Sequence, residues 1–338
     1  MTDPFAQLPR TQLAHLPTPL ERMERLTADL NGPDLWVKRD DCTGLATGGN
    51  KTRKLEFLIG EAEAEGADTV ITFGAVQSNH ARQTAAACAA KGLACHLILA
   101  RKVPWQDPNY ETLGNVLLDH MFGATVHLVA PDDVKPTLKS LLAELENEKR
   151  AVYTIPTGGS NGTGALGYAA CALELIEQCQ ERGFKLTDIV HATASAGTQS
   201  GLLAGLALAG KLGEIRVHGI NVSEGAADLP AFITQIGDLA DEALRLAGAD
   251  GTLNRDAIII DSSYLGEGYG LPTPATYTAL RKLASGEGLL LDPVYSGKAM
   301  SGFIGKIQAG EFAGVDNLVF LHTGGTASLP VYGAAILS

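Results

Sequence analysis

Three turns rich in glycine and polar residues carry the side chains that could do chemistry. The first, residues 47–54 with the sequence TGGNKTRK, offers Asn50 as a helix N-cap and brings Lys51, Arg53 and Lys54 into the first helical turn. Lys51 and Lys54 are three residues apart and therefore share one helix face. Cations are unfavourable near the positive end of a helix dipole, so three of them indicate an anion or a carbonyl ligand nearby. The alternative interpretation is a solvated basic turn, which a lone lysine would favour.

The second turn, residues 73–80 with the sequence FGAVQSNH, leads from an apolar run into a helical pattern. Gln77, Ser78, Asn79 and His80 follow one another at the helix start, where backbone N–H groups lack intrahelical partners. Such N–H groups, together with serine and asparagine side chains, favour the binding of a carboxylate. An ordinary N-cap needs only one of these four residues, so the pattern predicts a carboxylate-binding site in addition to a helix cap.

The third turn, residues 194–201 with the sequence ASAGTQSG, opens another helix after an apolar run. Its small side chains, hydroxyls and free N–H groups are typical of a phosphate site. The residues expected to form this phosphate site are Ser195, Ala196, Gly197, Thr198 and Gln199. It is neither a Walker A loop nor a G-x-G-x-x-G motif. An amine, a phosphate site and a carboxylate site together match the needs of pyridoxal 5'-phosphate (PLP), which forms a Schiff base with a lysine.

Metal and serine-hydrolase chemistry are not indicated. The eight histidines are dispersed without the spacing of ligand pairs, so no metal site is predicted. His96, His127, His191 and His218 lie in apolar, strand-like runs and are interpreted as structural. We predict no serine-hydrolase nucleophile elbow.

Short apolar, β-branched runs alternate with helical patterns, and this alternation must position the three turns. Nine strands are predicted at residues 35–37, 69–73, 95–99, 125–129, 152–155, 189–192, 217–222, 258–260 and 318–321. Helices are predicted at residues 51–65, 78–91, 110–122, 133–149, 164–182, 198–212, 276–285 and 298–309. The alternation predicts parallel sheets covered on both faces, with binding residues at the carboxyl ends of the strands. Because nine strands are many for one sheet, we expect two packed α/β domains.

The composition limits the possible classes of function. The 338 residues carry a net charge of −12, which disfavours binding to nucleic acid or to an anionic membrane. The first residues lack the apolar core of a signal peptide, and no apolar run approaches the ~18 residues of a membrane helix. The scattered cysteines predict reduced, buried thiols; they are Cys42, Cys88, Cys95, Cys171 and Cys179. We therefore expect a cytoplasmic protein without a nucleic-acid or membrane partner.

From residue 17 to residue 330 the sequence resembles the PLP enzymes of fold type II, the tryptophan synthase β-like class. More narrowly, it is similar to the branch that contains 1-aminocyclopropane-1-carboxylate (ACC) deaminase, D-cysteine desulfhydrase and L-cysteate sulfo-lyase. The resemblance lies in residues 17–20, 38–41, 48–51, 77–80, 156–161, 268–270, 291–298 and 322–325. It implies an α/β fold of two three-layer α/β/α domains with mostly parallel sheets, bound PLP, a small amino-acid substrate and a homodimer.

The expected domain division places the cofactor in a cleft. Residues 1–50 and 161–338 would form a large PLP-binding domain, and residues 51–160 a small domain inserted in it. Sites at domain interfaces are common for cofactors of this size.

The resemblance also implies roles for individual residues. Lys51 would be the Schiff-base lysine, Lys51 or Ser78 would move the α-proton, and Tyr269 and Tyr295 would flank the reacting centre. Asn79 would face the ring hydroxyl of the cofactor. The further cofactor-binding residues would be Lys54, Ser195, Ala196, Gly197, Thr198, Gln199, Tyr295, Ser296 and Thr323. The substrate would be held by Gln77, Ser78, Asn79, His80 and Thr323. Without the resemblance, Tyr295 would be interpreted as an aromatic residue packed after a turn.

Two positions discriminate within the branch. ACC deaminases carry an acidic residue and a leucine where this chain has Ser296 and Thr323. A carboxylate would keep the pyridine nitrogen protonated, whereas a hydroxyl leaves it less charged, which suits the easier loss of a β-sulfur group. We therefore predict a PLP-dependent carbon–sulfur β-lyase. Residues 41–47 and 77–82 look more like those of L-cysteate sulfo-lyases, which form pyruvate, ammonium and sulfite. D-cysteine desulfhydrase, ACC deaminase and a non-catalytic PLP-binding protein are the alternatives.

Overall fold

The computed structural model of the chain describes residues 4–223 and 228–337. Its strands are β1 (Leu20–Arg22), β2 (Asp34–Arg39), β3 (Thr69–Ala75), β4 (Ala94–Ala100), β5 (Thr125–Val129), β6 (Val152–Ile155), β7 (Asp188–Thr193), β8 (Arg216–Asn221), β9 (Ile258–Asp261) and β10 (Asn317–His322). Its helices are α1 (Glu24–Leu30), α2 (Lys51–Ala64), α3 (Asn79–Lys91), α4 (Asn115–Met121), α5 (Val134–Asn147), α6 (Gly162–Glu181), α7 (Gly197–Leu208), α8 (Leu229–Leu246), α9 (Pro274–Glu287), α10 (Ser296–Gln308) and α11 (Gly333–Leu337).

The larger sheet has six strands in the order β1-β2-β10-β7-β8-β9, and only β1 runs antiparallel to its neighbour. Alternate residues of β10 face opposite layers, as the two-residue period of a strand requires. Val319 and Leu321 pack with α6, α7 and α8, whereas Leu318 and Phe320 pack with α1, α9 and α10. Helices on both faces explain why the strands of this parallel sheet are almost continuously apolar.

The smaller sheet has four parallel strands in the order β5-β4-β3-β6. Helices α2 and α3 cover one face, and α5 covers the other through Leu141 and Leu145, which pack on Ile71 and Ile98. All four strands fall between residues 69 and 155, inside the segment expected to form the small domain. The boundaries of that domain stay a prediction.

Helix α2 packs against both α3 and α6 and thereby connects the two sheets. Its first turn is held by a buried ionic cluster in which the Arg53 guanidinium binds Asp40 at 2.8 Å and Glu174 at 2.9 Å. Asp40 also accepts hydrogen bonds from Tyr168 at 2.6 Å and Thr18 at 2.8 Å. The cluster fixes the position of the start of α2, which carries Lys51.

The predicted α/β class with mostly parallel sheets is confirmed, and all nine predicted strands are present with ends within two residues. Strand β1 was missed because three residues are too few to establish an alternation. Helices α1, α8 and α11 were missed as well. For α8 the signal was present, since Phe232, Ile236 and Ala240 recur at helical spacing and all are buried.

Two predictions from the sequence need correction. The helix predicted from Tyr110 begins only at Asn115, because Gly114 adopts a φ of 64° that a continuous helix does not allow. The thiols are free, but Cys42 is exposed whereas the other four are buried.

Among the described residues, no helix combines the length and apolarity that a membrane span needs.

Candidate active site

A cavity of about 680 Å³ lies at the carboxyl ends of strands from both sheets. The three polar turns identified in the sequence meet there, since Lys51, Ser78 and Ser195 all line it. The carboxyl ends of β3 and β4 contribute Ala75 and Ala100, and those of the larger sheet contribute residues such as Thr193. Sequence-distant turns are brought together because parallel strands deliver their loops to one edge of a sheet.

Two lysines share one carbonyl acceptor inside the protein. The Lys51 and Lys54 ammonium groups donate to the Gly158 carbonyl oxygen at 3.2 and 3.1 Å. Burial lowers the pKa of Lys51 to about 8, and burial together with repulsion from Lys51 holds the pKa of Lys54 well below its usual range. Lys51 faces the cavity. Because its pKa is lowered, a larger fraction of this amine is unprotonated at neutral pH than in a solvated lysine, which makes it a competent nucleophile for an aldehyde.

The turn before Lys51 owes its shape to close backbone approach. Gly48 has a φ of 74°, and a Cβ there would lie 1.8 Å from the Asp41 carbonyl oxygen, so only glycine fits. Asn50 does not cap α2 as expected, because its amide Nδ2 donates instead to Thr198 Oγ1 at 3.1 Å. This bond ties the lysine turn to the start of α7.

The start of α7 has the geometry of an anion cradle. Ala196 has a φ of 68°, an unusual conformation for a residue with a Cβ, and Gly197 follows so closely that a Cβ would lie 2.8 Å from Lys54 Nζ. The Ser195 hydroxyl bonds that of Ser160 at 2.8 Å beside the first N–H groups of the helix. A lysine, two hydroxyls and a helix start beside one another fit a phosphate.

Gln199 is the exception within this third turn. Its side-chain amide is turned away from the cavity, with Nε2 donating to the Ile259 carbonyl oxygen at 2.9 Å on the edge strand β9. The side chain of Gln199 therefore takes no part in the phosphate site, and its backbone N–H at the helix start is the group left for the expected role, which stays a prediction. Ser195, Ala196 and Thr198 line the cavity as expected.

The second turn presents an asparagine and a neutral histidine to the cavity. Ser78 caps α3 by accepting a hydrogen bond from the Ala81 N–H at 3.1 Å, and Asn79 begins the helix. His80 is hydrogen-bonded through Nε2 to Thr72 Oγ1 at 2.8 Å, while its buried Nδ1 has no partner among the described residues. Burial and the nearby lysines hold the pKa of His80 well below its usual range, so the ring is uncharged.

Gln77 does not belong to the substrate site as expected. Its Nε2 donates to the Tyr110 carbonyl oxygen at 2.6 Å and to that of Leu113 at 2.9 Å, and its Oε1 accepts the Asn115 N–H at 2.9 Å. The side chain therefore organises the loop before α4 and does not line the cavity. Its role is visible only from tertiary partners that the sequence pattern does not reveal.

Two phenols form one wall of the cavity. The Tyr269 and Tyr295 hydroxyls are hydrogen-bonded to each other, and the rings meet edge to face with centroids 5.8 Å apart. Burial raises the pKa of both phenols above their usual value, so both stay neutral at physiological pH. They offer hydrogen-bond donors without charge next to the lysine.

Of the two hydroxyls expected near the ring nitrogen, only that of Thr323 lines the cavity. The Ser296 hydroxyl donates to Asp292 Oδ1 at 2.6 Å and accepts the Asp292 N–H at 2.8 Å, so it serves the helix start of α10. Ser296 is 1% exposed. The expectation that its side chain contacts the cofactor is corrected, and Thr323 is the hydroxyl left for this role.

The cavity also contains residues to which the sequence assigned no role. Lys102 follows β4 and reaches the cavity from an exposed position. Phe232 and Gln235 face it from α8. Gly158 and Ser160 lie in the segment 156–161, which was named only among the residues that carry the family resemblance.

Comparison with known proteins decides the family. Residues 11–324 match the family described as pyridoxal-phosphate dependent enzyme. The chain belongs to this family. It is 42% identical over 329 residues to D-cysteine desulfhydrase of Serratia proteamaculans (strain 568), and 41% identical over 330 residues to that of Salmonella typhi. Each alignment covers 97% of both chains. The predictions of PLP as the cofactor and of a PLP-dependent carbon–sulfur lyase are confirmed at this level.

Solved structures give the same fold. The crystal structure of an ACC deaminase homologue superposes with a TM-score of 0.87 at 34% identity, covering 99% of this chain and 97% of that one. A hydrogen sulfide-producing enzyme of Fusobacterium nucleatum shares the fold alone, with a TM-score of 0.63 at 20% identity over 91% of this chain and 95% of that one. The expected fold of type II PLP enzymes, within the ACC deaminase and D-cysteine desulfhydrase family, is confirmed.

The residues of the cavity fit PLP. A reactive amine, the start of α7, and an amide and a hydroxyl for the ring substituents line one space, and Lys54 lies directly behind the α7 turn. PLP supplies an electron sink that stabilises negative charge at the α-carbon of an amino acid. The chain supplies the amine, the cradle and the groups that orient the substrate.

Proposed function

We propose that the enzyme is a D-cysteine desulfhydrase, which converts D-cysteine and water to pyruvate, ammonia and hydrogen sulfide. The carrying observation is that the polar side chains that line the cavity with the reactive lysine include four neutral ones, namely Tyr269, Tyr295, His80 and Thr323. The SH group of cysteine is small and leaves as hydrogen sulfide after accepting one proton, so it needs a proton donor rather than a fixed cation. The named relatives, 41–42% identical over nearly the whole chain, support the same substrate.

The proposal gives each group a physical task. Ser78 and Asn79, at the positive end of α3, bind the substrate carboxylate. The Lys51 amine, with its lowered pKa, accepts or returns the α-proton, and Ser78 is the alternative group for this transfer. The Tyr269–Tyr295 pair donates a hydrogen bond towards the departing sulfur. Lys54 and the start of α7 hold the phosphate and thereby keep PLP bound.

L-cysteate is the second candidate, and Lys102 is the observation that favours it. A sulfonate is permanently anionic and needs a counter-charge when it is bound. Among the lining residues in the described part of the chain, Lys51 and Lys102 are the cations, and Lys51 is committed to the cofactor. Lys102 could therefore pair with a sulfonate. The sequence favoured L-cysteate, whereas the relatives and the neutral surroundings of Lys51 favour D-cysteine.

Analysis of the reaction products distinguishes a D-cysteine desulfhydrase from the alternative activities. Purified holoenzyme is incubated with D-cysteine, L-cysteine, L-cysteate and ACC, and sulfide, sulfite and 2-oxo acids are measured. We expect sulfide and pyruvate from D-cysteine. Sulfite from L-cysteate, without sulfide from D-cysteine, overturns the proposal in favour of the sulfo-lyase. Turnover of ACC alone indicates a deaminase, and no turnover with bound PLP indicates a binding protein.

The variant Lys102→Met sharpens this comparison. It removes the charge while keeping the length of the side chain. If D-cysteine is the substrate, its KM stays within about twofold of wild type, because a thiol makes no use of a distant cation. For L-cysteate the KM rises roughly tenfold or more. Lys91→Met, on the last turn of α3 outside the cavity, is the matched control.

A further inference from the structure

Asn115, the first residue of α4, uses its backbone N–H and both ends of its side-chain amide for hydrogen bonds inside the protein. It is 0% exposed. Its N–H donates to Gln77 Oε1 at 2.9 Å, and its Nδ2 donates to the Gln77 carbonyl oxygen and to Asn79 Oδ1, both at 3.1 Å. Its Oδ1 accepts from Arg82 Nη1 at 3.2 Å. No part of Asn115 lines the cavity, so its effect on the site must act through these partners.

The bond to Asn79 fixes which end of that amide faces the cavity. Asparagine can present either its oxygen or its NH2 group, and hydrogen-bond partners decide between the two orientations. Because Asn115 Nδ2 is a donor, Asn79 turns its oxygen towards Asn115. The NH2 group of Asn79 is then left for the cavity that Asn79 lines.

Arg82 fixes the orientation of Asn115 in turn. Its Nη1 can only donate, so it selects the oxygen of the Asn115 amide and leaves the NH2 group for Asn79. The same guanidinium donates through Nη2 to the Gly48 carbonyl oxygen at 2.7 Å, in the turn that precedes Lys51. One buried chain of hydrogen bonds therefore runs from the lysine turn through Arg82 and Asn115 to Asn79.

We propose that Asn115 is a positioning residue, which orients the Asn79 amide so that it donates a hydrogen bond to the ring-hydroxyl oxygen of bound PLP. The inference takes Asn79 as the group that faces this oxygen, as the family resemblance implies, and it does not depend on which amino acid is the substrate. A donor there stabilises the deprotonated, more negative form of the cofactor. An amide oxygen there would repel it.

The variant Asn115→Asp tests the orientation directly. The carboxylate keeps the size of the side chain and pairs with Arg82, but it cannot donate to Asn79. Asn79 then turns its NH2 group towards residue 115 and its oxygen towards the cofactor. We expect the pH midpoint of the visible absorption of bound PLP to rise by about one unit, and the affinity of the apoenzyme for PLP to fall roughly tenfold.

A double-variant cycle with Asn79→Ala separates positioning from a structural effect. If Asn115 acts through Asn79, Asn115→Asp adds no further shift of the absorption midpoint in the Asn79→Ala background. Val116→Ala, a buried neighbour on the same helix, is the control that lowers thermal stability without moving the midpoint. An Asn115→Asp holoenzyme with the wild-type midpoint overturns the inference. Failure of the wild type to act on D-cysteine overturns the proposed function alone, because the absorption shift does not depend on substrate.

Discussion

At the scale of single residues, the site depends on how burial changes the chemistry of ordinary side chains. A solvated lysine is almost entirely protonated at neutral pH and is a poor nucleophile. Here Lys51 and Lys54 face the same carbonyl oxygen of Gly158, with Lys54 fully buried and Lys51 half-buried at the cavity. Each therefore favours its neutral form more than a surface lysine does. The structure thus prepares one amine for reaction and keeps the second beside the phosphate cradle.

The lowered pKa of Lys51 predicts how the apoenzyme takes up PLP. Only the unprotonated amine attacks the aldehyde, so the rate of covalent attachment should rise with pH to a plateau with a midpoint near pH 8. Stopped-flow absorption of apoenzyme mixed with PLP measures it. Lys51→Ala and Lys51→Arg should form no borohydride-stable adduct and show no turnover while melting like the wild-type apoenzyme. A midpoint near 10.5, the ordinary lysine value, contradicts the assigned environment.

Ser78 combines capping with substrate binding, and two variants separate these tasks. Ser78→Asp keeps the cap of α3, because aspartate is as good an N-cap as serine. Its carboxylate would repel the carboxylate of the substrate, so we expect KM for D-cysteine to rise roughly tenfold or more at nearly unchanged thermal stability. Ser78→Ala should lower activity strongly without removing PLP, and it should also lose about 1 kcal/mol of stability with the cap. Wild-type kinetics in both variants would place the carboxylate site elsewhere.

At the scale of elements, the three turns could be predicted because their information is local. Each consists of adjacent residues whose types suit a helix start, and the structure places all three around one cavity. Gln77 and Ser296 could not be predicted in the same way. The Gln77 side chain is directed by a distant segment, the loop before Asn115, and the Ser296 side chain turns back to Asp292, four residues earlier in the chain. Orientation is set by packing, which a residue pattern does not encode.

The start of α2 depends on Arg53, whose charge is paired inside the protein. Removing one member of a buried ion pair leaves the other uncompensated and costs about 3–5 kcal/mol. We expect Arg53→Leu to lower the free energy of unfolding by this amount and to weaken PLP binding, because Asp40 and Glu174 lose their main partner. Arg101→Leu, which breaks an exposed pair with Glu111, should cost under about 1 kcal/mol. Urea unfolding of both variants measures the difference, and equal losses would contradict a structural role for the cluster.

At the scale of the whole molecule, the cavity exists only if α2 and α6 approach closely. α2 carries Lys51 and covers the smaller sheet, whereas α6 packs with the core of the larger one. Gly167 lies at their contact, and a Cβ there would be 2.3 Å from the Arg53 carbonyl oxygen. The neighbouring atoms belong to backbone, so they cannot move aside without shifting a helix. The distance between α2 and α6 therefore depends on residue 167 being a glycine.

This close approach predicts a different outcome for the same substitution at two helical glycines. Gly286 in α9 has no heavy atom within 4 Å of its Cβ position, so Gly286→Ala should stabilise the protein by up to about 1 kcal/mol through helix propensity. Gly167→Ala makes the same gain but forces α2 and α6 apart, and overpacking of this kind costs about 1–3 kcal/mol. It should also weaken PLP binding, since Lys51 moves with α2 while the α7 cradle stays with the larger sheet. Thermal unfolding and PLP titration of the two variants measure both effects, and a Gly167→Ala enzyme that matches Gly286→Ala in both would show that the helices tolerate a wider spacing.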